Sequence, residues 1–255
     1  MSGPANNHAI EFRDVSFRSP QGTAILDHLN FAIPSAETFV LLGRSGSGKT
    51  TALRLINRLL EPTEGVIEVE GRSVREWDPV KLRRTVGYVI QDAGLFPHYN
   101  VERNVGLVPW LEKWPEERTR ARVKELLELV GLDPSKFAKR YPRELSGGQR
   151  QRVGVARALA SDPRILLMDE PFGALDPITR GELQREFGAL QKRIAKTVVF
   201  VTHDTREATL LAQRIAFLDA GRLVGVYTPQ GFLHATEPVA AAYLAAFRMA
   251  NSTLS

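Results

Sequence analysis

The chain contains no cysteine among its 255 residues. Disulfide bonds, thiol catalysis and cysteine-ligated zinc are therefore excluded as chemistries of this sequence. No apolar run approaches the ~20 residues that a membrane-spanning helix needs. The polar start, residues 1–8, lacks the basic and apolar regions of a signal peptide. We expect a cytoplasmic protein whose role at a membrane, if it has one, depends on a partner.

A strong excess of one charge is also missing, although the net charge is +5. The 34 Lys and Arg residues are interspersed with 29 acidic residues and form no long basic block. We interpret this pattern as a solvated surface of mixed charge and expect no nucleic acid partner. The apolar fraction of 43% is ordinary for a folded domain, which argues against disorder.

Short apolar runs alternate with helical patterns, and the sequence has no internal repeats. This order predicts an α/β fold with a mainly parallel sheet. Three short strand patterns near the start predict a small antiparallel sheet at residues 10–17, 24–33 and 66–69. We predict one domain over residues 8–246. Its core and antiparallel subdomain comprise residues 8–93 and 163–246, and a helical subdomain is inserted at residues 94–162.

Compact apolar runs predict buried strands at residues 39–42, 86–90, 165–168 and 197–202. Helical patterns predict helices at residues 49–60, 150–159 and 180–194, and another between Pro115 and Gly131. The tail predicts two strands, at residues 214–218 and 222–227, followed by short helices.

Residues 43–50 read GRSGSGKT and match the phosphate-loop pattern G-x-x-x-x-G-K-[ST] in full. The glycines let backbone N–H groups wrap around phosphates, and the following helix adds its positive N-terminal end. Lys49 can reach the β- and γ-phosphates, and the Thr50 hydroxyl can ligate Mg²⁺. We predict that ATP phosphates are bound by Gly43, Arg44, Ser45, Gly46, Ser47, Gly48, Lys49, Thr50 and Thr51.

Two other interpretations of this loop remain. One is a glycine-rich turn without a ligand. The other is a dinucleotide-binding turn, although its G-x-G-x-x-G spacing is absent here.

Polar residues follow three of the predicted buried strands. Asp169 and Glu170 follow residues 165–168, where Asp169 can hold Mg²⁺ and Glu170 can orient or deprotonate the attacking water. His203 follows residues 197–202 and can hydrogen-bond a γ-phosphate. The alternatives are a solvated strand end for the carboxylates and a capping or structural role for His203. Gln91 follows residues 86–90, and taken alone it indicates only a surface glutamine.

Residues 145–149 read LSGGQ and precede a helical run. Ser146 is a good N-cap, and Gly147 and Gly148 leave backbone N–H groups accessible, so this helix start can bind an anion. Taken alone, the segment is also compatible with an ordinary capped helix.

Together these motifs resemble the ATP-binding subunits of ABC transporters, and the resemblance extends over nearly the whole chain. It implies a RecA-like P-loop core, with ATP and Mg²⁺ as cofactors. Gln91 matches the Q-loop glutamine, a catalytic residue and metal ligand beside Thr50 and Asp169. Asp176 matches the D-loop and His203 the H-loop, so the implied catalytic residues are Glu170, His203 and Gln91.

The resemblance also implies partners. Two such domains, as a homodimer or a pair of ATPase subunits, sandwich ATP between the phosphate loop of one copy and the other copy's Ser146, Gly147, Gly148 and Gln149. They act on an integral membrane permease, and indirectly on a substrate-binding protein, at the inner face of the plasma membrane. Residues 96–104 are our expectation for the permease-facing surface.

Residues 55–65, 89–98 and 171–179 resemble the importers of osmoprotectants such as glycine betaine, choline, carnitine and proline. Two features depart from family patterns. Ser19 stands where many members carry an adenine-stacking aromatic, and Phe17 replaces it only if the loop is shifted; we also expect no C-terminal CBS domains. The alternatives are an importer ATPase for another solute such as an amino acid, a non-transport ABC-type ATPase, and a module that closes on ATP without hydrolysing it.

Overall fold

The computed structural model of the chain describes residues 8–252, with side chains to residue 248. Most of the polar N-terminal segment, residues 1–7, lies outside this range. The chain divides into two compact units: one contains the residues up to Leu82 and from Thr197 onward, and the other is Arg83–Lys196. Within residues 8–252, no helix combines the length and the apolar character that crossing a bilayer requires.

Ten strands occur in the described range. They are β1 His8–Arg18, β2 Ala24–Pro34, β3 Thr38–Leu42, β4 Glu64–Val69, β5 Arg72–Ser73, β6 Val86–Val89, β7 Ile165–Asp169, β8 Thr197–Thr202, β9 Arg214–Asp219 and β10 Arg222–Tyr227. The α-helices of the same range are α1 Lys49–Ile56, α2 Pro79–Thr85, α3 Val101–Val105, α4 Leu107–Leu111, α5 Glu116–Leu129, α6 Pro134–Phe137, α7 Gly147–Ala158, α8 Pro177–Ile194, α9 Thr205–Leu211, α10 Pro229–Leu233 and α11 Pro238–Ser252.

The first unit contains the predicted antiparallel sheet, in the order β2-β1-β4-β5. In β1, Phe12 lies opposite Phe31 on one side and Ile67 on the other. The rings of Phe12 and Phe31 stack with centroids 4.4 Å apart, which buries the inner face of this sheet. The prediction of an antiparallel sheet is confirmed.

The first unit also holds β3 between two parallel neighbours, β8 and β9, with β10 antiparallel to β9. All five residues of β3 are buried, as expected for a strand paired on both sides in a parallel sheet. In the second unit, β6 and β7 form a parallel pair, and the remaining elements are helices. Val123, Leu126 and Leu127 form the buried stripe of α5 that its sequence spacing predicts.

Several element bounds differ from the sequence predictions. Helix α1 stops at Ile56 rather than residue 60, because Arg58 adopts a left-handed φ of 54° and the N–H groups of Leu59 and Leu60 donate back to the Arg54 carbonyl. Helix α7 begins at Gly147, three residues earlier than predicted. The tail contains one 15-residue helix, α11, rather than short helices alone. The domain bounds at residues 8–246 stay a prediction.

Candidate functional site

The phosphate loop leaves β3 through Gly43, which lies against β9. A Cβ at this residue would lie 2.2 Å from the Leu218 carbonyl oxygen and 2.7 Å from Ser47 Oγ. Any side chain here would therefore push the loop away from the sheet. Glycine is required at the point where the loop begins.

Lys49 places its ammonium group inside the curve of this loop. Its Nζ donates to the carbonyl oxygens of Gly43 at 2.9 Å and Arg44 at 2.7 Å, and lies 3.4 Å from Ser47 Oγ. Lys49 is 4% exposed, so its charge is held by loop oxygens rather than by bulk water. A phosphate oxygen can take over this role, which is the chemistry that the sequence motif predicts.

The rest of the loop is exposed at its tip and buried where it meets α1. Arg44, Ser45 and Gly46 are exposed, Ser47 and Gly48 are buried, and Thr50 and Thr51 are half-buried in the first turn of α1. Backbone and hydroxyl groups at the start of a helix can hold an anion.

His203 lies beside the loop in the first unit. Leu42 at the end of β3 pairs with Thr202 at the end of β8, so Gly43 and His203 leave the sheet at the same edge. Thr202 Oγ1 donates to the buried Glu207 carboxylate at 2.5 Å and accepts from the Asp204 N–H at 2.9 Å. The His203 side chain itself is exposed at this edge. The structure thus brings the phosphate loop and His203 to one side of a sheet.

In the second unit, Asp169, Glu170 and Gln91 also lie at one edge. Val89 of β6 pairs with Met168 of β7, and the three polar residues follow this pair. Asp169 is 7% exposed, and the Tyr88 hydroxyl donates to its Oδ2 over a long 3.5 Å. Tyr88 was not among the predicted residues, because its hydroxyl reaches Asp169 only through the strand pairing.

Glu170 is half-buried and has a left-handed φ of 44°. A non-glycine residue in this region costs about 1–3 kcal/mol, and such strain is often found where a side chain must be aimed at a ligand. The backbone of Glu170 is held by its carbonyl, which accepts from the Gly173 N–H at 3.1 Å. This geometry is what a carboxylate with a positioning role would need.

Residues 145–149 form the start of α7. Ser146 Oγ accepts from the Gln149 N–H at 3.2 Å, and the Gln149 side chain accepts from the Ser146 N–H at 3.0 Å, a reciprocal capping box. Gly148 has a packing role as well, since a Cβ there would lie 2.7 Å from the Thr179 methyl of α8. The side chain of Gln149 is thus occupied in the cap, while Ser146 is exposed and Gly147 half-exposed.

Asp176 caps α8, a role that the family match did not suggest. Its Oδ1 accepts from the N–H groups of Ile178 at 3.2 Å and Thr179 at 3.1 Å. Hydrogen bonds from the Thr179 side chain and backbone hold the pKa of this carboxyl below its usual value. The Asp-Pro pair that opens α8 is a helix-start signal, so the cap was readable from the sequence.

A buried parallel strand, a glycine-rich loop and a helix that begins with Lys49 define a P-loop fold. The chain belongs to the ABC transporter family, whose model matches residues 26–173, more than half of the chain. His203 and the elements after it lie outside the matched range.

Curated relatives support this assignment. The choline transport ATP-binding protein OpuBA of Bacillus subtilis is 51% identical over 224 residues, which cover 88% of this chain and 58% of that protein. The glycine betaine/carnitine/choline transport ATP-binding protein OpuCA of the same organism is 53% identical over 224 residues, which cover 88% of this chain and 59% of OpuCA. This chain therefore spans less than two thirds of these relatives. The glycine betaine uptake system ATP-binding protein YehX of Escherichia coli is 49% identical over 215 residues, which cover 84% of this chain and 69% of YehX.

Solved structures share the fold. The CbiO1 protein of Clostridium perfringens, part of the ABC transporter complex CbiONQ, has a TM-score of 0.83 and 26% sequence identity to this chain. The superposition covers 98% of this chain and 100% of the CbiO1 chain. The ATP-binding cassette MJ0796, a dimer bound to ADP and Pi, has a TM-score of 0.75 and 33% identity over 86% of this chain and 98% of its own. The P-loop α/β fold is thus confirmed.

Proposed function

We propose that the chain binds and hydrolyses ATP as the nucleotide-binding subunit of an ABC importer. The observation that carries the proposal is the buried ammonium of Lys49 inside a complete phosphate loop. Family membership supports it, as do the transport ATP-binding proteins at about 50% identity.

In the first unit, Lys49 exchanges its loop carbonyls for phosphate oxygens, and the N–H groups of residues 43–51 surround the phosphates. The exposed His203 imidazole donates to the γ-phosphate. In the second unit, Glu170 orients the attacking water and accepts its proton as the bond from the γ-phosphorus to ADP breaks. These roles follow from residue type and from position at the strand ends.

Mg²⁺ fits the donors that this chain offers. Thr50 supplies a hydroxyl, Gln91 an amide and Asp169 a carboxylate, all hard oxygen ligands of the kind that Mg²⁺ takes. When bound, the ion neutralises negative charge on the β- and γ-phosphates. Asp169 is held at a buried strand end, where a carboxylate is stabilised by a nearby cation.

We propose further that two copies close on ATP, with Ser146, Gly147 and Gly148 of one copy facing the triphosphate held by the other. The capped start of α7 supports this role, because its first N–H groups point away from the helix. A solved relative is a dimer bound to ADP and Pi. Closure on ATP and opening after hydrolysis would move the permease.

Phosphate release by Glu170→Gln tests the catalytic assignment. We expect hydrolysis to fall by roughly 10²- to 10⁴-fold while ATP still binds and drives dimer formation. Glu117→Gln, which alters an exposed carboxylate in the first turn of α5, is the matched control and should hydrolyse ATP at the wild-type rate. Equal rates for Glu170→Gln and wild type would reject the role of Glu170.

The transported solute is proposed to be an osmoprotectant such as choline, glycine betaine or carnitine. The relatives at 49–53% identity include proteins named for these solutes. A different solute is the second candidate, because a spermidine/putrescine importer of Acidothermus cellulolyticus is 46% identical and a sulfate/thiosulfate importer of Mycobacterium bovis 45%. Uptake of labelled choline and of labelled spermidine by vesicles containing the ATPase and its permease distinguishes the two.

Residues 96–104 and the groove beside them are proposed to face the permease, which holds the protein at the inner face of the plasma membrane. The fully buried Asn104 organises this segment through four hydrogen bonds to the backbone of Phe96, Tyr99 and Asn100. Beside it lies a groove of about 590 Å³ that includes Trp110, which is 64% exposed.

The absence of native cysteine allows a direct test of this surface. A single cysteine at the exposed Phe96 should crosslink to the permease, and a single cysteine at the exposed Leu59 should not. Equal crosslinking at both residues would contradict the assignment.

A further inference from the structure

Tyr243, in the C-terminal helix α11, contacts the backbone of His203. Its hydroxyl donates to the His203 carbonyl oxygen at 2.5 Å, across 40 residues of sequence. Tyr243 belongs to none of the sequence motifs and lies outside the range that the family model matches. The contact joins the tail of the chain to the residue proposed to sense the γ-phosphate.

The Tyr243 ring is held in place by an aromatic cluster. It packs on Phe217 with centroids 5.0 Å apart, and Phe217 packs on Phe232 at 5.5 Å. Phe217 and Phe232 are fully buried, as is Ala240 on the same helix as Tyr243. Since a tyrosine side chain has few rotatable bonds, this packing fixes where the hydroxyl points.

The hydroxyl remains a donor over the physiological range. Burial raises the pKa of Tyr243 to about 12, so the phenol keeps its proton at neutral pH. An O–H that faces a carbonyl oxygen makes a directional bond, and its loss leaves that carbonyl without this partner.

His203 is therefore held on two sides. On one side, Thr202 binds the Glu207 carboxylate and the Asp204 N–H, which fixes the turn out of β8. On the other, Tyr243 holds the His203 carbonyl itself. The backbone is restrained while the imidazole stays exposed.

We propose that Tyr243 is a positioning residue for ATP hydrolysis: its hydroxyl fixes the backbone of His203 so that the imidazole meets the γ-phosphate in one orientation. This inference rests on the proposed role of His203. The Tyr243 hydroxyl also interacts with the Thr205 side chain. The effect proposed here acts through its hydrogen bond to the His203 carbonyl and needs no contact with the nucleotide.

Tyr243→Phe removes the hydroxyl and keeps the ring on Phe217. We expect kcat for ATP hydrolysis to fall roughly 3- to 10-fold with KM for ATP unchanged, since a misplaced imidazole affects the reacting complex more than ATP binding. Tyr227→Phe is the matched control, because Tyr227 packs on Phe232 in the same cluster, while the hydroxyl that donates to the His203 carbonyl is that of Tyr243. It should retain the wild-type kcat.

The double variant separates positioning from stability. In a His203→Ala background, Tyr243→Phe should cause no further loss of kcat, because the group that it positions is gone. The same fold-loss in both backgrounds would overturn the proposal. As a second measurement that does not require turnover, the His203 ring resonances in NMR should shift in Tyr243→Phe and not in Tyr227→Phe.

These variants test the role of Tyr243 separately from that of His203. A His203→Ala variant with a strongly reduced but measurable kcat, beside a fully active Tyr243→Phe, rejects the role of Tyr243 and leaves the proposed function standing. A fully active His203→Ala rejects both the role of His203 and that of Tyr243.

Discussion

Arg157 donates a hydrogen bond from Nη2 to the carbonyl oxygen of Ala93, over 2.6 Å and 64 residues of sequence. Its Nη1 donates to the next carbonyl, that of Gly94, at 2.8 Å. The segment that receives these bonds is strained, since the non-glycine residues Asp92 and Ala93 both have positive φ, at 61° and 59°. Helix α7, which Ser146 caps, therefore also holds the segment that follows Gln91.

Arg157→Lys should lower both stability and hydrolysis. A lysine ammonium cannot reproduce the guanidinium fork that reaches two carbonyl oxygens. Burial also disfavours a positive charge at this position, and therefore lowers the pKa of Arg157. We expect the free energy of unfolding to fall by about 1.5–3 kcal/mol. We also expect a several-fold lower kcat, because Gln91 loses its fixed approach. Urea denaturation and phosphate release measure the two effects.

Arg152→Lys is the control on the same helix. Arg152 donates to the Val130 carbonyl at 2.9 Å and pairs with Glu186 at 2.7 Å, whereas Arg157 donates to Ala93 and Gly94. This variant should lose stability and keep its kcat. A matching loss of hydrolysis in both variants would mean that Arg157 acts through stability alone.

Gly43→Ala should disrupt the phosphate loop. The new methyl would meet the Leu218 carbonyl at 2.2 Å, and overpacking of this kind costs about 1–3 kcal/mol. We expect a lower urea midpoint and loss of ATP binding, measured with a fluorescent nucleotide. Gly181→Ala in α8, whose new methyl meets nothing within 4 Å, should instead be stabilised by about 0.5–1 kcal/mol. Normal ATP affinity in Gly43→Ala would contradict the account of the loop.

The sequence predicts elements whose signal is local. β8 and β10 occur at their predicted bounds, because each is a short run of strand-forming residues between turn residues. Helix α9 was not predicted, since its charged and apolar residues give only two turns of pattern. The early end of α1 depends on Arg58, which adopts a left-handed backbone conformation. Arginine rarely adopts this conformation, so the sequence does not predict the helix end there.

Some contacts near the proposed site have no signal in the sequence. Lys49 and the Ser146 cap belong to contiguous motifs, so their contacts span only a few residues and the motif itself identifies them. The contacts of Arg157 with Ala93 and of Tyr243 with His203 connect residues 64 and 40 positions apart. No periodicity or spacing rule links such pairs, because they exist only after the chain has packed.

Ser19→Tyr tests whether the lack of an aromatic residue at position 19, which could stack on adenine, weakens ATP binding. Ser19 lies in the turn between β1 and β2, where its Oγ accepts from the Thr23 N–H at 3.2 Å, and Phe17 is committed to β1, opposite Leu26. A tyrosine at residue 19 adds a base–aromatic stack of roughly 1–3 kcal/mol, so we expect one to two decades tighter ATP binding by calorimetry. Ser19→Ala, which removes the hydroxyl and adds no ring, should not gain affinity. An unchanged dissociation constant for Ser19→Tyr would contradict the idea.

His28 should make stability depend on pH near neutrality. Its Nδ1 lies 2.7 Å from Asp14 Oδ1, and the hydrogen bond and charge of Asp14 raise the pKa of His28 above 6.5. Because the folded state binds the proton more tightly, the stabilisation is fully present below the unfolded value of about 6.5 and is lost as pH rises through the folded pKa.

Asp14→Asn keeps a residue that tolerates the left-handed φ of 51° and removes the charge. In an NMR titration the pKa of His28 should fall towards the unfolded value in this variant, and urea denaturation should show that the stability gap to wild type narrows from pH 6 to pH 8. The same titration curve in both proteins would exclude Asp14 as the cause.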